Sequence, residues 1–414
     1  MAKIKPFKGL RPQADQAREV ASRPYDVLNS EEARLEAKDH PNSFLYVVKP
    51  EIDLPPDTNP YDPSVYEQGK NYFDRMIREG VFTQDQNDSY YIYQLIMGEH
   101  RQTGLVACAH IDDYFNNVIK KHELTRPDKE QDRINHIKFT RMQAEPVFFA
   151  YPSYPQLDQL LSDITNRQAP IYDFVAEDNI QHRFWKVENQ DDVHQITTLF
   201  GEIPSTYVAD GHHRTAASAL VGKQLENENP HHQGNEEYNY FLAVHFPHDQ
   251  LQIIDYNRVV TDLNGMTADA FLEAISNKFQ VENHGAEIVK PEKEHQFSLY
   301  LEGNWYILNA LPDTYDANDP VGVLDVTILS KNILEPFLNI HDLRRDKRID
   351  FVGGIRGLKE LKKRVDSGEM KAAFALYPVS MTNLMNIADA GEIMPPKTTW
   401  FEPKLRSGLV VHQF

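Results

Sequence analysis

The sequence predicts a mixed α/β protein. Three observations carry this: apolar runs of strand length alternate with stretches of helical period, proline and glycine break them at short intervals, and 414 residues with 41% hydrophobic content suffice for one large or two ordinary cores. The pattern changes near residue 262, which gives an expected N-terminal domain over 1–262 and a smaller α/β domain over 263–414.

The elements follow in chain order. In "YDVLNSEEARLEAKDHP", Asn29 or Ser30 offers a helix cap, Glu31 and Glu32 suit the positive helix end, and Pro41 stops the helix. The prolines of "KPEIDLPPDTNPYDP" forbid helix and predict an extended surface excursion. "SVYEQGKNYFDRMIREG" predicts a helix with Ser64 and Glu67 as a capping box and Gly80 at its end. "SYYIYQLIM" and "GLVACAHI" flank the polar "GEHRQT" as a hairpin, and Asp112 to Gln143 reads as two helical pieces, the second opened by Pro127. Strand "EPVFFAYP", a helix over Tyr154 to Arg167, strands "PIYDFV" and "HRFWKV" and a further helix precede "STYVADGHHRTAASALVGKQLENEN". A second hairpin is expected from "YFLAVHF" and "LQIIDYNRVV". Beyond Thr261 come helix "TADAFLEAISNKF", strands "HQFSLYLEG" and "NWYILNA", and a strand, glycine turn, helix and strand over "IDFVGGIRGLKELKKRVDSGEMKAAFALYPV", the outline of a βαβ unit.

Charge and composition exclude some functions. With 62 acidic against 43 basic residues the net charge is -19, which repels polyphosphate backbones, so a nucleic-acid partner is not expected. The single cysteine, Cys108, rules out an internal disulfide and reads as a small buried hydrophobe. The basic "MAKIKPFKGLRP" lacks the apolar stretch of a signal peptide and no run approaches the roughly 18 apolar residues of a membrane span, so the expectation is a cytoplasmic protein without a membrane partner.

The chemistry concentrates in "PSTYVADGHHRTAASAL". A strand ending near Ala209 delivers Asp210 to its tip, Gly211 permits a tight turn, and His212, His213 and Arg214 fall in the first turn of the next helix. Helix amides favour a phosphate there, and Arg214 adds a forked contact. Asp210 suits a Mg²⁺ ion or a hydroxyl. The plainer alternative makes Asp210 a helix cap and the histidines solvated turn residues. Both Asp210 and Arg214 are expected at a surface cleft. "KKHELTRPDKEQDR" holds His122 and Glu123 beside a predicted break and Arg133 one helical turn after Lys129, with a solvated, salt-bridged face as the alternative. The tail "MPPKTTWFEPKL" is stiffened by proline and anchored by Trp400 and Phe401, so Lys397 is presented as a phosphate ligand on a tail expected to return to the cleft. Its alternative is an ordinary C-terminal clasp. "DFVGGIRG" lacks the full phosphate-loop pattern and reads as a turn.

"DGHHR" at a strand-to-helix turn resembles the signature of free serine kinases of the ParB and sulfiredoxin-like superfamily. Across the full length, "KPFKGLRP", "SRPYDVLN", "KKHELT", Asp132 with Arg133, "ADGHHRTAA" and "IMPPKTTWFEPKLRSGL" resemble a family designated domain of unknown function 1015. The resemblance implies a ParB/sulfiredoxin-like α/β core and phosphoryl transfer to the hydroxyl of free L-serine, giving O-phosphoserine, with Mg²⁺ and a donor that is ATP, ADP or pyrophosphate. It implies catalytic roles for Asp210, His212 and His213, phosphate binding by Gly211, His213, Arg214 and Lys397, substrate binding by Arg23, His122, Glu123 and Arg133, and Asp210 as the metal ligand. Asp26, in the rigid turn of "RPYDV", is the candidate base, where the kinases carry a glutamate; a local turn acid is the alternative. A homodimer is compatible with this reading. Two other classes stay open: a ParB-like nucleotide- or DNA-binding regulatory module, which the acidic charge disfavours, and a metal-dependent phosphohydrolase with Asp210, His212 and His213 as ligands.

Overall fold

The structure is a computed structural model that describes all 414 residues. It is a mixed α/β fold whose residues gather into two compact units, Met1–Leu251 with Pro403–Phe414, and Gln252–Glu402. No helix is long and apolar enough to cross a membrane.

The first unit is built on a nine-stranded mixed sheet. Its main path runs Ile119–Lys120, Thr206–Asp210, Val147–Tyr151, Tyr240–Pro247, His100–His110, Tyr90–Met97, Gln181–Val187 and Tyr172–Val175, with Ile4–Lys5 added on His100–His110. Two pairings are parallel, Thr206–Asp210 on Ile119–Lys120 and Tyr240–Pro247 on Val147–Tyr151. The expected hairpin of Tyr90–Met97 and His100–His110 is present, from Tyr91↔Val106 to Met97↔His100.

Both faces of the sheet are covered, which is why its strands read as nearly continuous apolar runs. Tyr90, Ile92, Leu105, Ala107 and Tyr151 pack against Leu157, Leu161 and Ile164 of one helix and Val193, Ile196 and Phe200 of another. On the opposite face the two ends of the chain lie across alternate residues: Gly9 N donates to Tyr91 Oη at 3.0 Å and Arg406 N to Tyr93 Oη at 3.2 Å. A separate helical cluster joins Phe44, Val47, Phe73, Phe82 and Met142 to Val411 of the tail.

Local capping follows the sequence in one helix and shifts in another. Asn29 caps Ser30–Ala37 in a reciprocal box with Glu32. The helix expected from Ser64 instead starts at Pro63, with Asp62 accepting from Ser64 N at 2.9 Å. Asp62 outcompetes Ser64 because Pro63 occupies the first helical position, where its missing N–H costs nothing, and the Ser64 hydroxyl itself donates to Asp62 Oδ1. Gly80, at φ 75°, supplies the left-handed residue after the helix.

The second unit holds a six-stranded sheet in the order Phe279–Gly285, Asn304–Ala310, Gln296–Leu301, Ala372–Leu376, Tyr256–Val260 and Ile349–Gly353. The second expected hairpin does not form: Tyr240–Pro247 pairs within the first sheet, whereas Tyr256–Val260 pairs with Ile349–Gly353 and Ala372–Leu376. "LQIIDYNRVV" is moreover broken at Asp255, its first part Gln252–Ile254 pairing with Trp400–Glu402, because pairing is decided by burial that a hairpin pattern does not encode. Ile349–Gly353 and Ala372–Leu376 both run antiparallel to the strand between them, so they are parallel to each other, and the Gly357–Asp366 helix that joins them packs Leu361 against Val259, Tyr300 and Trp305. The βαβ outline is therefore present in split form, with one strand inserted.

Candidate functional site

Thr206–Asp210 ends at Asp210, and the His212–Glu228 helix starts two residues later. Gly211 makes the turn at φ 93°. The backbone conformation favours glycine, and so does space: a Cβ there would lie 3.1 Å from the Cζ, Nε and Nη2 atoms of Arg214. The guanidinium therefore tucks against the turn. Arg214 is buried rather than open to a cleft, and its Nη1 donates to Pro146 O at 2.6 Å.

Asp210 accepts from Gly211 N at 2.9 Å through Oδ1 and from Lys404 Nζ at 2.9 Å through Oδ2. Burial pushes its carboxyl up, but Lys404 and Arg214 more than reverse this and hold it well below the usual carboxylate range. Arg214 loses by burial and gains from Asp26, Glu145 and Asp210, with a net rise that keeps it charged. An ionised acid thus sits between two cations at a helix N-terminus, whose first amides have no intrahelical partner.

The histidines are neutral. Burial lowers His122 to about 4, against the pull of Asp210, and drives His212 well below its ordinary value. Their rings meet edge to face with centroids 4.5 Å apart. Nδ1 of His212 lies 3.8 Å from Glu123. His213 is lowered by burial, and its Nε2 accepts from Arg126 N at 3.0 Å, which places the proton of the neutral ring on Nδ1.

Asp26 is exposed, and its charge acts on His213, Arg214 and Glu145 together, so the Pro24–Asp26 turn faces the start of the helix. The other expected binding residues have partners of their own. Arg23 pairs with Glu36. Arg133 is buried, paired with Asp132 at 2.8 Å and Glu145 at 3.4 Å, and stacked 3.9 Å over the Tyr25 ring. Lys397 belongs to the second unit, at φ 59°, where its Nζ lies 5.6 Å from the Tyr256 ring centroid and its carbonyl accepts from the buried Arg258 at 2.9 Å.

No group of three or more His, Cys, Asp or Glu side chains is arranged to hold a metal ion. Asp210, His212 and His213 are turned to three different partners, Lys404, Glu123 and Arg126. The residues present do not form a preformed metal centre.

The sequence profile of a family described as "Protein of unknown function (DUF1015)" matches residues 4–327. The chain belongs to this family. No curated protein matches the DUF1015 chain in sequence. Among solved structures it is similar to a conserved hypothetical protein from Pyrococcus furiosus, with 15% identity over 73% of this chain and 93% of the other and a TM-score of 0.35. It is similar to a mutant free serine kinase in complex with AMP, with 13% identity, 74% and 91% coverage and a TM-score of 0.36. It is also similar to a C-terminally truncated SbnI from Staphylococcus aureus, with 11% identity, 73% and 85% coverage and a TM-score of 0.38.

Two residues around Asp210 and Arg214 escaped the sequence reading. Lys404 stands in "FEPKLRSGL", behind a proline just as Lys397 is, and only the fold shows that it reaches Asp210. Glu145 opens the expected strand "EPVFFAYP"; a glutamate before proline at the mouth of an apolar run is the one signal there.

Proposed function

We propose that this chain is a small-molecule kinase that transfers a phosphoryl group from a nucleotide or pyrophosphate to the hydroxyl of free L-serine. The observation that carries the reading is the convergence of Lys404 and Arg214 on Asp210 at the N-terminus of the His212–Glu228 helix. Phosphoryl transfer needs positioning and charge neutralisation more than covalent help, and two cations with helix amides supply both.

Each residue has a task. Lys404 and Arg214 offset the charge that builds on the transferred group, and Asp210 holds Lys404 in place. Gly211 makes the turn that sets Asp210 beside the first helix amides and lets the Arg214 guanidinium lie against it. Asp26, exposed and facing the helix start, takes the proton of the serine hydroxyl as the new O–P bond forms and the bond from phosphorus to the donor's leaving oxygen breaks. The neutral His213 offers its Nδ1–H as a donor to a phosphate oxygen. The serine acceptor rests on the similarity of "DGHHR" to the free serine kinase signature.

The test is mass-spectrometric detection of O-phosphoserine after incubation of the purified chain with L-serine, Mg²⁺ and ATP, ADP or pyrophosphate in separate reactions. Product with at least one donor, lost in Asp210→Asn, is the expected result. Consumption of a donor with no phosphorylated serine would remove serine as the acceptor.

A further inference from the structure

Asp26, Arg214 and Lys404 come from three distant parts of the chain, and one dipeptide, Glu145–Pro146, bonds to Arg214 itself and to the segments that carry the other two, through Tyr25 and Ser407. Glu145 is 7% exposed. Its Oε1 accepts from Tyr25 N at 3.2 Å, the residue before Asp26, and from Ser407 Oγ at 3.4 Å, on the tail that carries Lys404. Its Oε2 meets Arg133 Nη1 at 3.4 Å, and Arg133 in turn lies over the Tyr25 ring. The carbonyl of Pro146 is the acceptor for Arg214 Nη1. The two segments held by Oε1 also hold each other: Ser22 N donates to Ser407 O at 3.1 Å and Ser407 N to Ser22 O at 2.9 Å.

A buried carboxylate is costly to retain without a task, because a hydrophobic residue of similar size packs as well without the desolvation. Here burial pushes the Glu145 carboxyl up, against the pull of Arg214 and Arg133, and its two oxygens are met by Tyr25 N, Ser407 Oγ and Arg133 Nη1. We propose that Glu145 is the positioning residue of this site, fixing the turn that bears Asp26 and the tail that bears Lys404 in register with Arg214. The part of this inference that concerns turnover rests on the kinase reading; the part that concerns the two segments does not.

Two measurements on the full chain separate these parts. The first is amide hydrogen exchange of Glu145→Ala, Glu145→Gln and Ser407→Ala. Glu145→Ala should speed exchange in both the Ser22–Asn29 and Lys404–Val410 segments by roughly tenfold while the central strands keep their protection, as loss of a buried hydrogen bond predicts. Glu145→Gln keeps an acceptor oxygen and should restore most of the protection, and Ser407→Ala should loosen the tail alone. Unchanged exchange in both segments, or loss of protection spread evenly over the chain, overturns the proposal. The second is steady-state kinetics: Glu145→Ala should lower kcat about 100-fold with the donor KM moving much less, the signature of misplaced groups, and Glu145→Gln should recover part of it. Equal kcat in Glu145→Ala and the parent chain overturns it. If Glu145→Ala does not fold, Glu145→Gln and Ser407→Ala carry both measurements. A parent chain with no transfer to serine defeats the kinase reading, and the exchange result still decides the positioning role.

Discussion

Lys404 Nζ donates to Asp210 Oδ2 at 2.9 Å across 194 residues of sequence. The pair lies at the strand tip that opens the His212–Glu228 helix, so removing the cation changes the site before it changes the fold. Lys404→Met should reduce turnover about 100-fold or more, the range seen when one charge-stabilising donor is lost. It should also alter the pH profile. With burial no longer offset by Lys404, the Asp210 carboxyl rises, and an acidic limb appears that the parent chain lacks. An unchanged profile would separate Lys404 from the chemistry.

Asp26→Asn tests the base. The side chain is exposed, so the melting temperature should stay within about 2 °C of the parent while kcat falls at least about 100-fold. Full turnover in this variant assigns the proton to another acceptor.

Gly211→Ala tests the turn. At φ 93° an alanine costs roughly 1–2 kcal/mol of backbone strain, and its methyl group would meet the Arg214 guanidinium at 3.1 Å. Chemical denaturation should show that loss of stability together with loss of activity, since the arginine must move. A stable, fully active variant would show that the guanidinium needs no contact with the turn.

Acid sensitivity follows from buried imidazoles. Burial lowers His245 to about 3 and His122 to about 4, while an unfolded histidine titrates near 6.5. The unfolded chain therefore takes up protons first as pH falls. Each group's contribution is complete above about 6.5 and is lost as pH drops toward the folded value, roughly 2 kcal/mol per histidine at pH 5. His245, with neither ring nitrogen hydrogen-bonded and its ring 4.9 Å from that of Phe200, is the cleanest probe. His245→Leu should be at least as stable as the parent at pH 7.5 and should lose less stability at pH 5 in urea titrations. Equal losses in both proteins would place the sensitivity elsewhere.

Much of the site was legible in local sequence. The apolar run to Ala209, Asp210, the glycine and the titratable first turn specify strand, tip and helix start within a few residues, and the structure places them so. Long-range pairing was not. Nothing in "FEPKLRSGL" points to a carboxylate 194 residues earlier, and nothing in "EPVFFAYP" tells that Glu145 will hold Tyr25 and Ser407. The same gap separates strand identity from strand pairing: Tyr240–Pro247 and Tyr256–Val260 both form, yet they join different sheets. Periodicity reports which face of a segment is buried, and it is silent on what buries it.

The most direct test of the central claim is phosphorus NMR of the purified chain with Mg²⁺ and L-serine, with ATP, ADP and pyrophosphate in separate tubes. The account predicts a phosphoserine resonance in at least one tube and its loss when Lys404→Met or Asp210→Asn replaces the parent chain. No phosphoserine in any tube, with the protein folded by circular dichroism, would contradict it.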